Sequence, residues 1–318
     1  MVNGAQVRFN FVVKSGVFDG DIWRLHNNRK GEIATRYVVN CAGLYGDQLD
    51  KDLLGASEFT IKPRKGQFVV YDKCASSLLK SIILPVPTEH TKGVVLTRTV
   101  FGNLLAGPTA EEQKERACAE VSQKVLQSLA SQAANMLPAL KDIPVTAIYA
   151  GLRPASEHKE YRVFHYPEKH WITAGGIRST GLTSALGLAA YIYKKYAETI
   201  AKLSGSDSSR SAENRLKKLT DPVCPQVQNL AEHLPRDWSQ PGYEEIVCHC
   251  ELVTKREIDR ALSGPLSAKS LQGLKRRTRV TMGRCQGFYC SARLAEITEG
   301  RFQDNLAIAN LNSDRLTK

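Results

Sequence analysis

Two cysteine pairs near the C-terminus constrain this chain more than any other sequence feature. The first pair, Cys248 and Cys250, has one residue between its members. The second pair, Cys285 and Cys290, has four, and 34 residues separate the two pairs. Because the stretches TKREIDRALS and SLQGLKRRT between the pairs have helical patterns, we predict a small helical module with the cysteines on its loops.

Four thiolates on converging loops indicate a metal centre, and two kinds compete. Structural zinc sites usually pair their cysteines with wider spacers, so the one-residue spacer is unusual for zinc. Iron–sulfur clusters also use four thiolates, with more varied spacing. Gly283 and Gly287 flank Cys285, and glycines let backbone N–H groups approach cluster sulfurs. The pattern therefore favours an iron–sulfur cluster and leaves zinc as the alternative.

Basic residues crowd the second pair of cysteines. They are Arg276, Arg277, Arg279 and Arg284. Cations beside an anionic cluster lower the cost of burying it and raise its reduction potential; a solvated charge run is the alternative interpretation. His249 stands between two of the cysteines, but a Rieske-type iron needs two histidines. We therefore expect His249 to be an exposed spacer.

Composition excludes several classes of protein. The chain has 318 residues and a formal charge of +12, but its basic residues are dispersed and no nucleic-acid motif occurs. It contains neither an apolar run that could span a membrane nor a recognisable signal peptide. We therefore expect an intracellular, cytoplasmic protein that binds no nucleic acid, and we expect metal or redox use of the paired cysteines, not disulfides.

The upstream part alternates between strand-like and helix-like segments. Residues 7–24 are predicted to form two strands. RYVVN is predicted to be a buried strand that ends at Cys41, which packs as a small apolar residue. A long amphipathic helix is predicted from Ala110 to Pro138, and a second helix after residue 174 carries Leu182 and Leu186 on one face. A Ser-rich linker follows.

Three motifs in this part suggest ligand binding. VVNCAG ends a strand at Gly43, where a backbone can come close to a ligand. AGLRPAS holds Arg153 on a stiff turn suited to binding a carboxylate or phosphate. AGGIRSTGLTSALGL leads glycines into a helix whose N-terminus favours negative charge. A glycine-rich helix entry can also serve tight packing alone.

These motifs, in this order, resemble the D-amino-acid-oxidase/glycerol-3-phosphate-dehydrogenase superfamily of FAD enzymes, in particular its L-2-hydroxyglutarate dehydrogenase-like branch. PRKGQFVVYD and KGVVLTRTVFGNLLAGPTA add to the resemblance. The cysteine module, with its MGRCQG segment, is similar to the bacterioferritin-associated-ferredoxin-like (BFD-like) [2Fe–2S] domain. That second resemblance implies a [2Fe–2S] cluster on Cys248, Cys250, Cys285 and Cys290.

The first resemblance also implies roles for individual residues. Arg153 would bind the anionic group of a small substrate. The residues expected beside FAD are Ala42, Gly43, Gly176, Ile177, Arg178, Thr180, Gly181, Leu182 and Thr183. Related enzymes for glycerol phosphate often have lysine in a GGKLT segment; Ile177 stands here instead, which favours a 2-hydroxy acid. The catalytic base is not fixed by the sequence, and His90, His158 and His165 are candidates.

One departure from the family concerns nucleotide binding. The family begins with a G-x-G-x-x-G strand–helix unit for the FAD pyrophosphate, and this sequence contains no such motif. We therefore expect a partial oxidoreductase domain, or one completed by a separate chain.

The predicted architecture combines α+β and α/β parts. It consists of a partial FAD-dependent oxidoreductase domain at 1–203, a linker at 204–242, a helical [2Fe–2S] domain at 243–300 and a tail at 301–318. The predicted activity is oxidation of a small anionic hydroxy acid or phospho-polyol, with electrons leaving through the cluster to an acceptor protein or partner subunit. The alternative is an electron-transfer subunit, or a non-catalytic chain that keeps only the iron–sulfur domain.

Overall fold

The computed structural model describes residues 3–27, 31–86, 93–203, 229–264, 266–302 and 306. Its chain divides into two compact units that do not follow chain order. The first unit comprises Met1–Gly66, Ala110–Glu120 and Ala150–Val223, and the second comprises Gln67–Thr109, Val121–Tyr149 and Cys224–Lys318. The cysteine module therefore shares a unit with residues 67–109 and 121–149 of the predicted oxidoreductase domain.

The described residues contain short strands, six α-helices and several short 3-10 helices, one of which, Lys73–Leu78, follows β5. The strands are β1 (Val13–Phe18), β2 (Trp23–Asn27), β3 (Glu32–Thr35), β4 (Val38–Asn40), β5 (Arg64–Tyr71), β6 (Val95–Arg98), β7 (Leu104–Gly107), β8 (Glu111–Glu112), β9 (Val145–Arg153), β10 (Arg162–Tyr166), β11 (Trp171–Gly175), β12 (Ile246–Cys248) and β13 (Val253–Thr254). The helices are α1 (Gly46–Leu54), α2 (Gln123–Met136), α3 (Gly181–Leu203), α4 (Lys255–Leu262), α5 (Leu271–Thr278) and α6 (Ser291–Thr298). None of these helices combines the length and apolarity that a bilayer crossing needs.

Two small sheets organise the first unit. Strands β1, β2 and β3 form an antiparallel meander, and the other sheet has the order β10–β11–β4 with β4 parallel to β11. Trp23 and Trp171 meet in its core with ring centroids 5.1 Å apart, and both are buried. The indole N–H of Trp23 donates to the carbonyl of Lys169 at 2.7 Å. Because large aromatic side chains bury much apolar area, this contact joins the two sheets.

An antiparallel sheet and a helical module form the second unit. Strands β6, β7 and the last residues of β5 pair in that order, and α2 packs Leu129 and Ala133 into the core beneath them. Strand β5 begins in the first unit, where it pairs with β8, and it also pairs with β9.

The cysteine module has its own apolar core. Ile258, Leu274 and Leu294, one from each of α4, α5 and α6, are fully buried there. Helix α4 begins with a capping box in which Thr254 and Glu257 each bind the other's backbone N–H, which satisfies donors that a helix start leaves open. The prediction of a small helical module is confirmed.

Several predicted elements differ from the structure. Residues 7–11 are not in strands; the hairpin lies further on, in β1 and β2. The long helix predicted to end at Pro138 begins only at Gln123, and Glu111 and Glu112 belong to β8. Strand β4 is only three residues long, with its middle residue exposed, and Cys41 is exposed as well. The apolar pattern of a segment did not show which of its residues are buried in the described part of the chain.

Candidate functional site

The turn after β4 is held in place by one buried side chain. The Asn40 amide donates to the Gly46 carbonyl and to the Asp50 carboxylate, both at 2.8 Å. Its oxygen accepts the Ala42 backbone N–H at 3.0 Å. Gly43 follows with φ of +57°, and a Cβ built on it would meet no atom within 4 Å. The backbone of the turn is therefore fixed and borders open space.

Gly175 is the last residue of β11 and Gly176 follows it, and a side chain is excluded at each position for a different steric reason. A Cβ on Gly175 would come within 2.4 Å of the Phe59 ring, so any side chain there would collide with a buried aromatic residue. Gly176 has φ of +65°, and a Cβ would lie 2.7 Å from a side-chain carbon of Arg162. Both positions therefore require glycine.

The turn and the glycines lie at the same edge of the sheet. Strand β4 runs parallel to β11, with Asn40 opposite Thr173. Parallel strands present their carboxyl ends at one edge, which is where ligands bind in α/β sheets. The two segments predicted to contact FAD, which begin at Ala42 and at Gly176, therefore emerge side by side.

Helix α3 begins directly after these glycines. Thr180 accepts the Ser184 backbone N–H at 2.9 Å, and the Tyr161 hydroxyl hydrogen-bonds the Thr180 hydroxyl. Leu182 and Leu186 are 94% and 88% exposed. Gly181 is half-buried and Thr183 exposed. The predicted helix is confirmed, while its apolar first turns are uncovered in the described chain.

The side chains of Arg178 and Ile177 differ in what they contact. Arg178 donates to the carbonyls of Ser156 and His158 at 3.1 and 2.9 Å, and so joins the loop before α3 to residues 156–158. Ile177 packs towards Gly181, with a side-chain carbon 3.4 Å from where a Cβ would be. Arg178 is thus occupied with backbone carbonyls.

Arg153, the predicted substrate ligand, is the last residue of β9 and is half-buried. Burial lowers the pKa of its guanidinium, and the nearby charge of Arg64 lowers it further. The positive charge is therefore held in a partly desolvated place, where it would bind an anion more strongly than in water.

The candidate histidines are placed differently. The Nε2 atom of His165 hydrogen-bonds the hydroxyls of Tyr37 at 3.1 Å and Thr199 at 2.8 Å. Burial lowers the pKa of His165, as do Lys195 and Lys202. His158 is exposed beside Glu157, and His90 lies outside the described residues. His165 therefore has structural partners, and within the described residues neither His165 nor His158 is in a defined proton-transfer geometry.

A buried ion pair in the first unit was missed by sequence reasoning. Arg116 binds both carboxylate oxygens of Asp47, at 2.6 and 3.0 Å, and also the carbonyls of Leu44 and Ile61. Burial opposes ionisation of Asp47, but Arg116 and the Ile61 and Gln48 amides outweigh it and hold its pKa below the usual range. Because Arg116 and Asp47 are far apart in sequence, no local pattern could have indicated their contact.

Asp50, one turn further along α1, is a second buried carboxylate. It accepts hydrogen bonds from Asn40, Trp171 and Thr173, at 2.7 to 3.1 Å. Burial raises its pKa nevertheless. Asp50 therefore connects the β4 turn to β11, the two elements that flank the candidate flavin site.

The four paired cysteines come together in the second unit as two contacting pairs. The Cys248 and Cys290 thiols interact with each other, and so do the thiols of Cys250 and Cys285. Within the described residues, no three histidine, cysteine or acidic side chains are arranged around one point that a single ion could occupy. A [2Fe–2S] cluster takes two cysteine ligands on each of its irons, so two pairs suit it.

Backbone N–H groups surround the cysteine sulfurs. The amide of Tyr289 contributes most to lowering the pKa of Cys285, and the amides of Gly287 and Phe288 act in the same direction. Burial raises the pKa of Cys250 and of Cys290, and the amides of Cys285 and Thr281, respectively, oppose that rise. Amide donors stabilise thiolates and cluster sulfurs, so these residues fit the group that was predicted.

A buried ionic network adjoins the cluster site. Glu251, next to Cys250, has only 1% of its side chain exposed and binds Arg279 at 2.7 Å and Lys73 at 3.2 Å. Arg279 also donates to the Asn103 amide oxygen at 3.1 Å. The residue after Cys250 is therefore joined to the segment that follows β5 and to the start of β7.

The arginines near the cysteines do not all have the predicted role. Arg284 binds Asp72 and is close enough to Cys250 to interact electrostatically with it. Arg279 is buried in the ionic network, while Arg276 and Arg277 are exposed. His249 is exposed, as predicted. Arg284 is therefore the arginine placed to influence a cluster directly.

Family models match both parts of the chain. Residues 2–194 match the model described as FAD dependent oxidoreductase. The chain belongs to this family. Residues 246–299 match the BFD-like [2Fe-2S] binding domain. The predicted superfamily, its FAD and the [2Fe–2S] cofactor are thereby confirmed, and zinc is not supported.

Curated relatives of this FAD-dependent oxidoreductase include glycerol 3-phosphate enzymes. A glycerol 3-phosphate dehydrogenase of Caloramator mitchellensis is 33% identical over 267 residues, covering 83% of this chain and 54% of the relative. A component of the anaerobic glycerol-3-phosphate dehydrogenase of Escherichia coli K12 is 24% identical and covers 87% of this chain and 55% of the relative. The chain therefore spans about half the length of these relatives.

An L-2-hydroxyglutarate dehydrogenase of Indibacter alkaliphilus is also similar, at 34% identity, but over only 26% of the chain.

Solved structures share the fold of the oxidoreductase part. L-α-glycerophosphate oxidase from Mycoplasma pneumoniae superposes with a TM-score of 0.52 at 23% identity, covering 59% of this chain and 50% of that one. Glycine oxidase from Bacillus cereus superposes with a TM-score of 0.54 at 20% identity, covering 62% of this chain and 52% of that one. At these identities the likeness establishes the fold alone.

Proposed function

We propose that this chain is part of an FAD-dependent dehydrogenase that oxidises glycerol 3-phosphate or a similar phospho-polyol and passes electrons to its own [2Fe–2S] domain. The observation that carries the proposal is the extent of the likeness to a glycerol 3-phosphate dehydrogenase, which reaches across 83% of the chain. When bound, FAD supplies two-electron hydride acceptance and the cluster one-electron transfer.

The edge of the β4–β11 sheet is the proposed place for the flavin. Ala42, Gly43 and Gly176 border it with exposed or positive-φ backbone, and Thr180 and Gly181, where α3 begins, contribute backbone N–H groups. Helix N-termini stabilise negative charge, which develops on a reduced flavin. Asn40 and Asp50 would keep this edge rigid, since they bind its turn and strand.

Arg153 is proposed to hold the anionic end of the substrate. It is half-buried at the end of a strand between Gly151 and Pro154, and a guanidinium there can make two charge-assisted hydrogen bonds to one phosphate. It would orient the substrate without taking part in proton transfer.

The four cysteines are proposed as the cluster ligands, and the loop between Cys285 and Cys290 as the exit for electrons. Phe288 and Tyr289 on this loop are exposed, with their rings edge to face at 5.2 Å. Exposed aromatic residues are frequent at protein interfaces. An acceptor protein that takes single electrons would approach the cluster there.

The experiment that tests the proposal is anaerobic reduction of flavin by substrate. The purified chain is supplemented with FAD, and glycerol 3-phosphate or L-2-hydroxyglutarate is added. We expect glycerol 3-phosphate to bleach the flavin absorbance, and Arg153→Gln to prevent this while the exposed control Arg36→Gln does not. Bound flavin that neither compound reduces would contradict the proposal. A chain that holds a cluster but takes up no FAD would favour the electron-transfer alternative.

A further inference from the structure

Thr281 combines two unfavourable features next to the proposed cluster site. It lies between α5 and Cys285, and only 6% of it is exposed. Its backbone has φ of +64°, a left-handed conformation in which a β-branched residue is an outlier. Its hydroxyl oxygen is buried and has no hydrogen-bond partner in the part of the chain that the structure describes. Both features cost free energy, and such features cluster at functional sites.

Three other buried threonines of the described cysteine module have acceptors for their hydroxyls. Thr254 donates to the Asp237 carboxylate at 2.6 Å. Thr278 and Thr298 lie in helices and donate to the carbonyls four residues earlier, at 2.8 and 2.7 Å. Thr281 is outside a helix and has no such carbonyl, so its hydroxyl differs from the other three.

The side chain of Thr281 lies against the loop between Cys285 and Cys290. A Cβ built on Gly287, a residue of that loop, would be 3.2 Å from the Cγ2 atom of Thr281 and 3.3 Å from its Cβ atom. The Thr281 backbone N–H also acts on Cys290, where it opposes the rise in pKa that burial causes. The unsatisfied hydroxyl is therefore carried by a residue that touches the loop of two proposed cluster ligands.

A [2Fe–2S] cluster supplies acceptors of the kind that this hydroxyl lacks. Its sulfurs accept hydrogen bonds, and these bonds tune the reduction potential of the cluster. A threonine hydroxyl is a donor whose hydrogen rotates to suit its acceptor. A sulfur acceptor would offset the free energy that the hydroxyl loses by being buried without a partner.

We propose that the Thr281 hydroxyl donates a hydrogen bond to a sulfur of the bound [2Fe–2S] cluster and raises the reduction potential of that cluster. The inference rests on the cluster ligands of the proposed function and adds a residue that tunes the cluster. Reduction gives the cluster one more negative charge, so a donor stabilises the reduced form more than the oxidised form. The strained backbone of Thr281 then has a reason, because it places a side-chain donor in the cluster site.

The test is a redox titration of the cluster in the purified full chain. Dithionite and mediator dyes reduce the cluster, so the titration needs neither FAD nor glycerol 3-phosphate. Thr281→Val keeps the shape of the side chain and removes the hydroxyl. We expect a more negative potential, with the ratio of reduced to oxidised cluster at a fixed potential falling about three- to tenfold, the effect of one hydrogen bond. Thr298→Val is the matched control, because that buried hydroxyl already donates to a carbonyl, and it should titrate like the wild type.

Two further variants separate the hydroxyl from the backbone strain. Thr281→Ser keeps the hydroxyl, so its potential should stay close to that of the wild type. Thr281→Gly relieves the left-handed conformation but has no hydroxyl, so its potential should match that of Thr281→Val. Electron–nuclear double resonance of the reduced cluster, compared in H2O and D2O, should show one exchangeable proton more in the wild type and Thr281→Ser than in Thr281→Val.

The outcomes distinguish this inference from the proposed function. Equal potentials in the wild type and Thr281→Val would overturn the inference, since the hydroxyl would then have another partner, such as a buried water. If Thr281→Val binds no cluster, the comparison of Thr281→Ser with Thr281→Gly decides in the same way. A wild-type chain that binds no cluster would also overturn it. If the potentials shift as expected but glycerol 3-phosphate fails to reduce the flavin, the role of Thr281 stands and the proposed function falls.

Discussion

Arg284, the residue before the proposed cluster ligand Cys285, holds the carboxylate of Asp72 with two hydrogen bonds of 2.6 and 3.1 Å. Asp72 also accepts the Cys74 backbone N–H and so caps the short helix that follows β5. Burial opposes its ionisation, but the Cys74 amide and Arg284 lower its pKa. A bidentate arginine–carboxylate pair is geometrically specific, so it fixes the loop that holds Cys285 against the end of β5.

Replacing Arg284 should change the reduction potential of the cluster more than the stability of the fold. Arg284→Gln removes a cation that interacts with Cys250, and a reduced cluster carries one more negative charge than an oxidised one. We expect the reduction potential to become more negative, measured by a redox titration of the cluster signal. Arg276→Gln, an exposed arginine nearby, is the control and should leave the potential unchanged. Equal potentials in all three proteins would refute an electrostatic role for Arg284.

The buried network at Glu251 should contribute strongly to stability. Glu251→Gln leaves Arg279, which has only 10% of its side chain exposed, without its anionic partner. Breaking a buried pair costs about 3–5 kcal/mol, and denaturant unfolding measures the loss. Glu232→Gln is a matched control, because Glu232 also binds Lys73 but is 32% exposed; its cost should be about 1 kcal/mol or less. Similar losses in both variants would contradict this account.

Acid should weaken the first unit through Asp47. Its pKa is lower in the folded chain than its ordinary value of 3.8. The contribution of the Asp47–Arg116 pair is therefore complete above that value and is lost as the pH falls through the folded pKa. At neutral pH, Asp47→Asn should cost about 3 kcal/mol, and the difference from the wild type should shrink on acidification.

Asp50 titrates with the opposite sign, because burial raises its pKa. It is present in both the wild type and the Asp47→Asn variant, so comparing their unfolding free energies removes most of its effect. A wild-type-to-variant difference that stays constant down to the lowest pH at which both fold would argue against the pair.

Gly175 should tolerate no side chain. Gly175→Ala sets a methyl group against the buried Phe59 ring, and overpacking of this kind costs about 1–3 kcal/mol. Gly187→Ala is the control, since no atom lies within 4 Å of its Cβ position and it is inside α3. That change should be neutral or stabilise by up to about 1 kcal/mol. Thermal melts of both variants give the comparison.

Loss of one ligand should remove the cluster. Cys285→Ser is expected to lower iron and sulfide content to background and to abolish the visible absorbance of the cluster. Cys118→Ser, an exposed cysteine in the other unit, should retain both. Full iron content in Cys285→Ser would show that the ligand set is different.

Local sequence patterns correctly predicted individual helices of this fold. Glycines before an apolar stretch indicated the start of α3, and the pattern between the cysteine pairs indicated a helical module. Cys248, predicted on a loop, is the last residue of β12. Contacts such as Arg116–Asp47 and Arg279–Glu251 join residues from distant segments, and they leave no periodic trace in the sequence.

The central claim is that electrons from glycerol 3-phosphate reach the [2Fe–2S] cluster of the same polypeptide. The most direct test is electron paramagnetic resonance of the anaerobic, FAD-supplemented chain after glycerol 3-phosphate is added. We expect a reduced-cluster signal that requires both FAD and substrate and is absent in Arg153→Gln. A flavin that glycerol 3-phosphate reduces while the cluster stays oxidised, although dithionite can reduce it, would contradict the claim.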